Sequence, residues 1–87
     1  MYIKHKGIVF SILELNNSKI ARGDNTGCLS LFSIDYDKNK YTKLTEHEAH
    51  DSCIYSLCEL SENRLVSASS DYTLKVWNIR RMIYLHI

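Results

Sequence analysis

Short apolar runs alternate with clusters of turn-forming residues along the chain. In the second half, residues 53–60 are rich in apolar side chains, residues 61–63 form a polar cluster, and residues 64–68 make another apolar run. Apolar and polar positions then alternate over residues 73–79. Runs of this length, bounded by Ser, Asn and Asp, are typical of β-strands joined by tight turns. Because no segment longer than a turn has helical periodicity, the pattern predicts an all-β fold.

The first half of the chain repeats this plan. A shift of 45 residues aligns residues 5–34 with residues 50–79 without a gap. Identical or similar residues recur across the alignment, among them Val9/Ile54, Phe10/Tyr55, Leu15/Leu60, Ile20/Leu65, Leu29/Leu74 and Phe32/Trp77. A fourth strand is expected after each copy, over residues 40–45 and 81–87. The repeat therefore predicts two copies of one four-stranded antiparallel sheet.

The second copy, residues 50–77, resembles a WD repeat. Its stretch LVSASSDYTLKVWN contains an Asp with a Trp six residues later, and His50 stands before the first strand. The usual Trp-Asp ending of the family is Trp77-Asn78 here, and Ala49 stands where a Gly usually precedes the His. The apolar positions of the first strand are Ile54, Leu57 and Leu60.

This resemblance implies a four-stranded blade of a WD-type β-propeller for each copy, with residues 5–32 as a degenerate first repeat. Closed propellers have about four to eight blades, so two blades make an incomplete ring. We therefore expect residues 1–87 to form a WD-repeat fragment, with blades at about 1–46 and 47–87. Such a chain would be a piece of a longer propeller, a truncated product, or a subunit that completes a ring by self-assembly.

The resemblance also implies a structural hydrogen-bond network inside the second blade, formed by His50, Ser67, Asp71 and Trp77. The chemistry is coherent, since a carboxylate accepts, an indole donates, and a hydroxyl or neutral imidazole does both. A buried polar group without a partner costs about 1–3 kcal/mol, so the network is favourable only when complete.

The first copy is expected to lack this network. It keeps His5, but Arg22, Thr26 and Phe32 occupy the other three positions. It should therefore depend on apolar packing. The residues expected to supply that packing are Val9, Ile12, Leu15, Ile20, Leu29, Leu31 and Phe32.

Candidate partner-binding residues follow from the same resemblance. Partners of this family often contact residues that flank the first apolar position of each first strand. The corresponding positions here are Ile8 and Phe10 beside Val9, and Cys53 and Tyr55 beside Ile54. Ser70, just before the turn Asp71, is a further candidate. Exposed aromatic residues are frequent anchors in protein interfaces, although packing between blades is an equally good explanation for Phe10 and Tyr55.

Charge and composition narrow the partner class. The 87 residues carry 11 basic and 10 acidic side chains, a formal net charge of +1. This near-neutral charge removes the electrostatic basis for binding nucleic acid or an anionic membrane.

The cysteines bear on the cellular compartment. Three cysteines without a CxxC pair are typical of reduced thiols. Since no apolar run reaches roughly 18 residues and the polar start does not resemble a secretory signal, we expect a cytoplasmic or nuclear protein.

Two kinds of chemistry compete with a binding role. A zinc site could use His47, His50 and Cys53, with Cys58 as a further ligand. In a strand, however, Cys53 and Cys58 point to opposite faces, so one tetrahedral site cannot use both. The Ser, His and Asp of the second copy have the residue types of a nucleophilic triad, but the structural network uses all three and no oxyanion hole accompanies them. We therefore expect no metal, no cofactor and no catalysis.

The leading hypothesis is a non-catalytic WD-repeat scaffold that binds other proteins or peptides. One alternative is a remnant or module of a larger enzyme-associated protein whose chemistry lies elsewhere. The other alternative is a small zinc-binding protein.

Overall fold

A computed structural model describes residues 1–5, 7–81 and 83–85 of the chain, the last three through their backbone alone. Within these residues the chain forms eight β-strands and no helix, which confirms the predicted all-β class. None of the described residues therefore belongs to a helix that could cross a membrane. The strands are β1 (Val9–Leu15), β2 (Lys19–Asp24), β3 (Cys28–Asp35), β4 (Lys40–Glu48), β5 (Ile54–Leu60), β6 (Arg64–Ser69), β7 (Leu74–Asn78) and β8 (Ile83–Leu85).

The strands form two antiparallel sheets, each ordered as it occurs in the sequence. Sheet 1 has the order β1-β2-β3-β4, and sheet 2 has the order β5-β6-β7-β8. Both sheets are open, because the first and last strands of each order are not neighbours. The two antiparallel sheets agree with the prediction, but two equal blades do not. Among the described residues, the fourth strand of sheet 2 comprises Ile83–Leu85, and Met82, His86 and Ile87 of the predicted strand lie outside them.

Matching hairpin turns open both sheets. Asn17 and Ser18 have φ values of 62° and 57° between β1 and β2. Glu62 and Asn63, at equivalent positions of the repeat, have φ values of 61° and 58° between β5 and β6. Two consecutive positive φ values are typical of the type I′ turn, whose twist matches that of the flanking strands. The polar clusters read from the sequence therefore do form the tight connections.

The core lies between the two sheets, where β5 packs on β1 and β2. Its buried residues are Leu15, Ala21, Leu29, Leu31, Ala49, Ile54, Leu65, Trp77 and Ile79. Gly23 allows a close approach between the sheets, since a Cβ atom there would lie 2.7 Å from Cγ2 of Ile54. The hydroxyl of Ser11 donates to the carbonyl oxygen of Ile54 at 3.1 Å and joins the sheets at the same place.

Two residues expected in the core of the first copy are exposed instead. Val9 and Ile12 are solvent-accessible, whereas Leu15, Leu29, Leu31 and Phe32 are buried as expected. Ile12 pairs with Arg22 on the side of sheet 1 that points away from sheet 2, so sheet 2 does not cover it. The prediction that these two residues lie in the core, which was based on their hydrophobic character alone, is therefore wrong.

Candidate functional site

The four residues of the predicted network come together in sheet 2. The indole Nε1 of Trp77 donates to Oγ of Ser67 at 2.9 Å. Oγ of Ser67 lies 2.7 Å from Nε2 of His50, and Nδ1 of His50 lies 3.0 Å from Oδ2 of Asp71. The hydroxyl of Thr73 is also 3.0 Å from Nδ1 of His50, so a fifth side chain joins the group.

The donors and acceptors in this group have a consistent direction. Because the indole can only donate, Ser67 accepts from Trp77 and its own hydroxyl proton is available to Nε2 of His50. A neutral His50 then carries its proton on Nδ1 and donates it to Asp71. The resulting chain of hydrogen bonds runs from Trp77 through Ser67 and His50 to Asp71. Since Ser67 is fully buried, each group depends on its neighbour for a partner.

Asp71 is held as a carboxylate by the turn that follows β6. Its Oδ1 accepts from the backbone and the hydroxyl of Thr73, and its Oδ2 accepts from the backbone of Asp51. The hydrogen bond from the Thr73 hydroxyl is the main reason that the pKa of Asp71 lies well below its usual range. Partial burial opposes this shift, and the bonds from Asp51 and His50 reinforce it.

The same geometry makes a nucleophilic triad a poor description of these residues. A nucleophilic serine must present its oxygen to a substrate. Oγ of Ser67 is buried between the two sheets and already accepts from Trp77. Ser67 therefore contributes a buried hydrogen bond to the structure of sheet 2.

Sheet 1 contains a related arrangement that gap-free alignment does not reveal. Nε2 of His5 lies 3.0 Å from Oδ2 of Asp24. Oδ1 of Asp24 accepts from the hydroxyl and backbone of Thr26 and from the backbone of Cys28. The alignment, which matched Thr26 to the network aspartate, therefore missed a His–carboxylate pair in the first copy. The carboxylate lies two positions before Thr26, the residue that the alignment matched to Asp71.

A sequence signal for Asp24 does exist. Asp24 and Thr26 form an Asp-x-Thr pattern that recurs as Asp71 and Thr73, at a shift of 47 instead of 45 residues. Burial works to raise the pKa of Asp24, but hydrogen bonds from Thr26 and Cys28 outweigh it. Together with the electrostatic influence of His5, they hold the pKa below its usual value.

Arg22 and Phe32 replace the Ser67–Trp77 pair in sheet 1. The guanidinium carbon of Arg22 lies 4.6 Å from the centre of the Phe32 ring, which is a cation–π contact. Among the described residues, Nε of Arg22 is a buried side-chain nitrogen without a hydrogen-bond partner. The repeat positions thus conserve a cross-strand pair while changing its chemistry from a hydrogen bond to a cation–π contact.

The residues proposed for zinc are engaged elsewhere or separated. Both ring nitrogens of His50 have side-chain partners, so neither is available to a metal ion. Nε2 of His47 lies 3.0 Å from the hydroxyl of Thr45, and its ring lies 5.4 Å from that of Trp77. In the part of the chain that the structure describes, no group of three or more His, Cys, Asp or Glu side chains could hold a metal ion.

The exposed strand edge is the second candidate site. Phe10 lies between Val9 and Ser11, which pair with consecutive residues of β2, so Phe10 is an extra residue in a β-bulge. Tyr55 forms the equivalent bulge in β5. Their side chains are 52% and 60% exposed, and Ile8 beside Phe10 is exposed as well. These aromatic side chains therefore do not pack in the core.

Cys53 and Ser70 are less accessible than these aromatic residues. Both are partly buried, and the backbone N–H of Ser70 donates to the carbonyl oxygen of Cys53 at 3.0 Å. The hydroxyl of Ser70 donates to that of Ser52 at 2.8 Å. Ser70 thus holds the loop before β5 in place, and the accessible part of the predicted surface is Ile8, Phe10 and Tyr55.

Comparison with known proteins finds structures with a similar fold but no matching family. No protein-family model matches the chain, and no curated protein sequence is significantly similar to it. The crystal structure of the computationally designed Ika4 protein matches 94% of this chain and 48% of Ika4, with a TM-score of 0.73 and 23% identity. A crystal structure of the computationally designed Ika8 protein matches 93% of this chain and 24% of Ika8, with a TM-score of 0.65 and 23% identity.

The chain thus spans about half the length of Ika4 and about a quarter of that of Ika8. Sequence identity this low shows a shared fold and nothing more. The two structures described above are designed proteins, and no family model supports the WD-repeat resemblance of residues 5–32 and 50–77. That assignment, with the propeller architecture it implied, is wrong. Short strands, polar turns and buried hydrogen bonds are needed by many hairpin-built sheets, so these residue types do not identify a family.

Proposed function

We propose that the chain is a non-catalytic scaffold that binds a protein or peptide at the edge formed by the starts of β1 and β5. The observation that carries this proposal is the pair of equivalent bulges, which expose Phe10 and Tyr55 in both copies of the repeat. Bulges re-aim side chains and interrupt strand pairing, so they are typical of sites with a specific role.

The physical features of this edge suit binding through side chains. β1 and β5 are the first strands of their sheets and pack against each other. A bulge at an edge strand hinders the addition of a further strand, so a partner would be held by aromatic anchors more than by backbone pairing. Tyr and other aromatic residues supply large contact areas with little loss of side-chain entropy.

The class of partner follows from charge and chemistry. With a formal net charge of +1, the chain has no bulk attraction for a polyanion, which favours a protein or peptide partner. Cys28, Cys53 and Cys58 are free thiols, a state typical of the cytosol and the nucleus. We place the proposed function in one of these compartments.

Selection of binding peptides from a displayed library tests the proposal. Affinities of the selected peptides are compared for the parent chain and for Phe10→Ala, Tyr55→Ala and Tyr36→Ala. Tyr36 is a matched control, since it is an exposed aromatic residue that follows β3 and belongs to neither β1 nor β5.

We expect Phe10→Ala and Tyr55→Ala to weaken binding at least about tenfold, as loss of an interface anchor does. Their free energies of unfolding should stay within about 0.5 kcal/mol of the parent value, as is usual for exposed residues. Loss of stability with unchanged affinity would show that the two side chains serve packing. Equal weakening in Tyr36→Ala would show that the edge is not the site.

A further inference from the structure

The two sheets stack through unlike faces. The front face of sheet 1, which covers sheet 2, carries Ser11, Leu13, Ala21, Leu29 and Leu31. The equivalent front face of sheet 2 carries Ser56, Cys58, Val66, Leu74 and Val76.

Each sheet also has a back face. The back face of sheet 1 carries Ile12, Ile20, Arg22 and Phe32. The back face of sheet 2 carries the equivalent residues Leu57, Leu65, Ser67 and Trp77.

In the chain, the front face of sheet 1 meets the back face of sheet 2. Leu29 and Leu31 of the first belong to one buried cluster with Leu65 and Trp77 of the second. Among the described residues, two faces have no partner sheet, and we call them open: the front face of sheet 2 and the back face of sheet 1. On the second of these, Phe32 and Arg22 are buried beside the start of the chain, whereas Ile12 is exposed. Because the sheets are repeats, the open front face of sheet 2 is equivalent to the covered front face of sheet 1. The open back face of sheet 1 is likewise equivalent to the covered back face of sheet 2.

Equivalent residues show how much surface the missing contact leaves exposed. Leu29 is 0% exposed on the covered front face, whereas its equivalent Leu74 is 71% exposed on the open one. On the open back face Ile12 is 70% exposed, whereas its equivalent Leu57 packs against the core. Large apolar side chains exposed on the face of a sheet are a feature of many interaction sites.

The start of the chain lies beside the open back face, as the end of β4 lies beside the covered one. Residues 1–3 stand 45 positions before residues 46–48, although only the latter belong to a strand. His47 contacts the ring of Trp77 on the back face of sheet 2. Tyr2, its equivalent, lines an apolar groove of about 330 Å³ together with Phe32, the equivalent of Trp77. The groove beside Phe32 on the back face of sheet 1 thus lies where His47 lies beside Trp77 on the back face of sheet 2.

We propose that two copies of this chain associate head to tail, with the open front face of sheet 2 of one copy on the open back face of sheet 1 of the next. This contact between two copies would have the same geometry as the stacking of sheet 1 on sheet 2 within one chain. An interface between unlike faces is heterologous, so it continues into a closed ring or an open filament according to the rotation between copies. This inference does not depend on the proposed binding edge.

Two substitutions and their mixture test the arrangement by sedimentation velocity. Ile12→Lys places a charge on the open back face, and Leu74→Lys places one on the open front face. Both residues are exposed, so neither substitution disturbs the core. Tyr55→Lys is the matched control, because Tyr55 is exposed in a bulge at the sheet edge.

The parent chain should associate with rising concentration, and each face variant alone should associate at least about tenfold more weakly. An equimolar mixture of the two variants should form pairs and nothing larger, because each pair joins the intact front face of one to the intact back face of the other. Tyr55→Lys should associate like the parent chain, although it lacks the proposed peptide anchor. The binding proposal and this one therefore fail independently.

Alkylation of Cys58 gives a second measurement that needs no substitution. Cys58 is exposed on the open front face, while its equivalent Leu13 is partly buried in the stack within the chain. Its reaction with iodoacetamide should slow as the chain concentration rises. A monomeric parent chain at all concentrations, association of either variant at parent strength, or a mixture that stays monomeric would overturn the proposal.

Discussion

Replacement of Ser67 by Ala should destabilise the chain far more than the loss of one exposed hydroxyl would. Ser67 is fully buried and stands at the centre of the hydrogen-bond chain in sheet 2. Its Oγ is the acceptor 2.9 Å from Nε1 of Trp77 and lies 2.7 Å from Nε2 of His50. The substitution removes both contacts at once and leaves no polar atom of residue 67 near either ring.

The expected loss can be worked out from the two groups affected. A buried donor or acceptor that loses its partner costs about 1–3 kcal/mol, so two of them cost about 2–6 kcal/mol. At about 0.05–0.15 kcal/mol per residue, an 87-residue chain has a free energy of unfolding of about 4–13 kcal/mol. Ser67→Ala should therefore remove a large share of the stability.

Urea denaturation of Ser67→Ala, Trp77→Phe and the double variant measures this effect. Because both single variants break the same hydrogen bond, their losses should not add, and the coupling energy should be about 0.5–3 kcal/mol. Ser30→Ala is the matched control. Ser30 is about equally buried, but its hydroxyl makes a long bond, 3.3 Å to Oε1 of Glu46, so about 1 kcal/mol is expected. A loss in Ser67→Ala no larger than in Ser30→Ala, or strict additivity, would refute the reasoning.

Two further predictions concern acid stability and backbone strain. Asp24 and Asp71 have pKa values below their usual range, so they bind fewer protons folded than unfolded. The stability they contribute should be complete above about pH 4, the pKa of an unfolded Asp, and should fall as the pH drops further; a flat free energy of unfolding from pH 5 to pH 2 would contradict this. Tyr72 is exposed and has a φ of 72°, and its equivalent Gly27 has a φ of 91°. Tyr72→Gly should therefore raise the free energy of unfolding by about 0.5–1 kcal/mol, and a lower melting temperature would argue against strain at this turn.

The strands and hairpins could be predicted from the sequence because antiparallel neighbours are local in the chain. The polar cluster of residues 61–63 does form the turn between β5 and β6, and the equivalent cluster opens sheet 1. The fourth strand after the first copy was also expected, although β4 extends to Glu48. Each of these features depends on residues within a few positions of one another.

Features that depend on pairing or on stacking could not be predicted in this way. The bulges at Phe10 and Tyr55 arise from register, which the alternation of residue types does not specify. Val9 and Ile12 have the composition of core residues, yet they are exposed because sheet 2 covers the opposite side of sheet 1. Which face of a sheet is covered depends on the partner sheet.

The residues of the hydrogen-bond chain in sheet 2 could be predicted from the sequence, but the protein family could not. His50 and Asp71 do lie beside each other in sheet 2. The related pair in sheet 1 was missed because Asp24 is displaced by two positions from the alignment. The family resemblance failed for a different reason, since the physical needs of a buried polar chain select the same residue types in unrelated proteins.

The most direct test of the proposed function maps a selected peptide onto the isotopically labelled chain by NMR. Binding at the edge predicts the largest amide chemical-shift changes over residues 8–10 and 53–55, with little change along β4. Changes concentrated on β3 and β4, with residues 8–10 and 53–55 unaffected, would contradict the assignment of Phe10 and Tyr55 as the binding anchors.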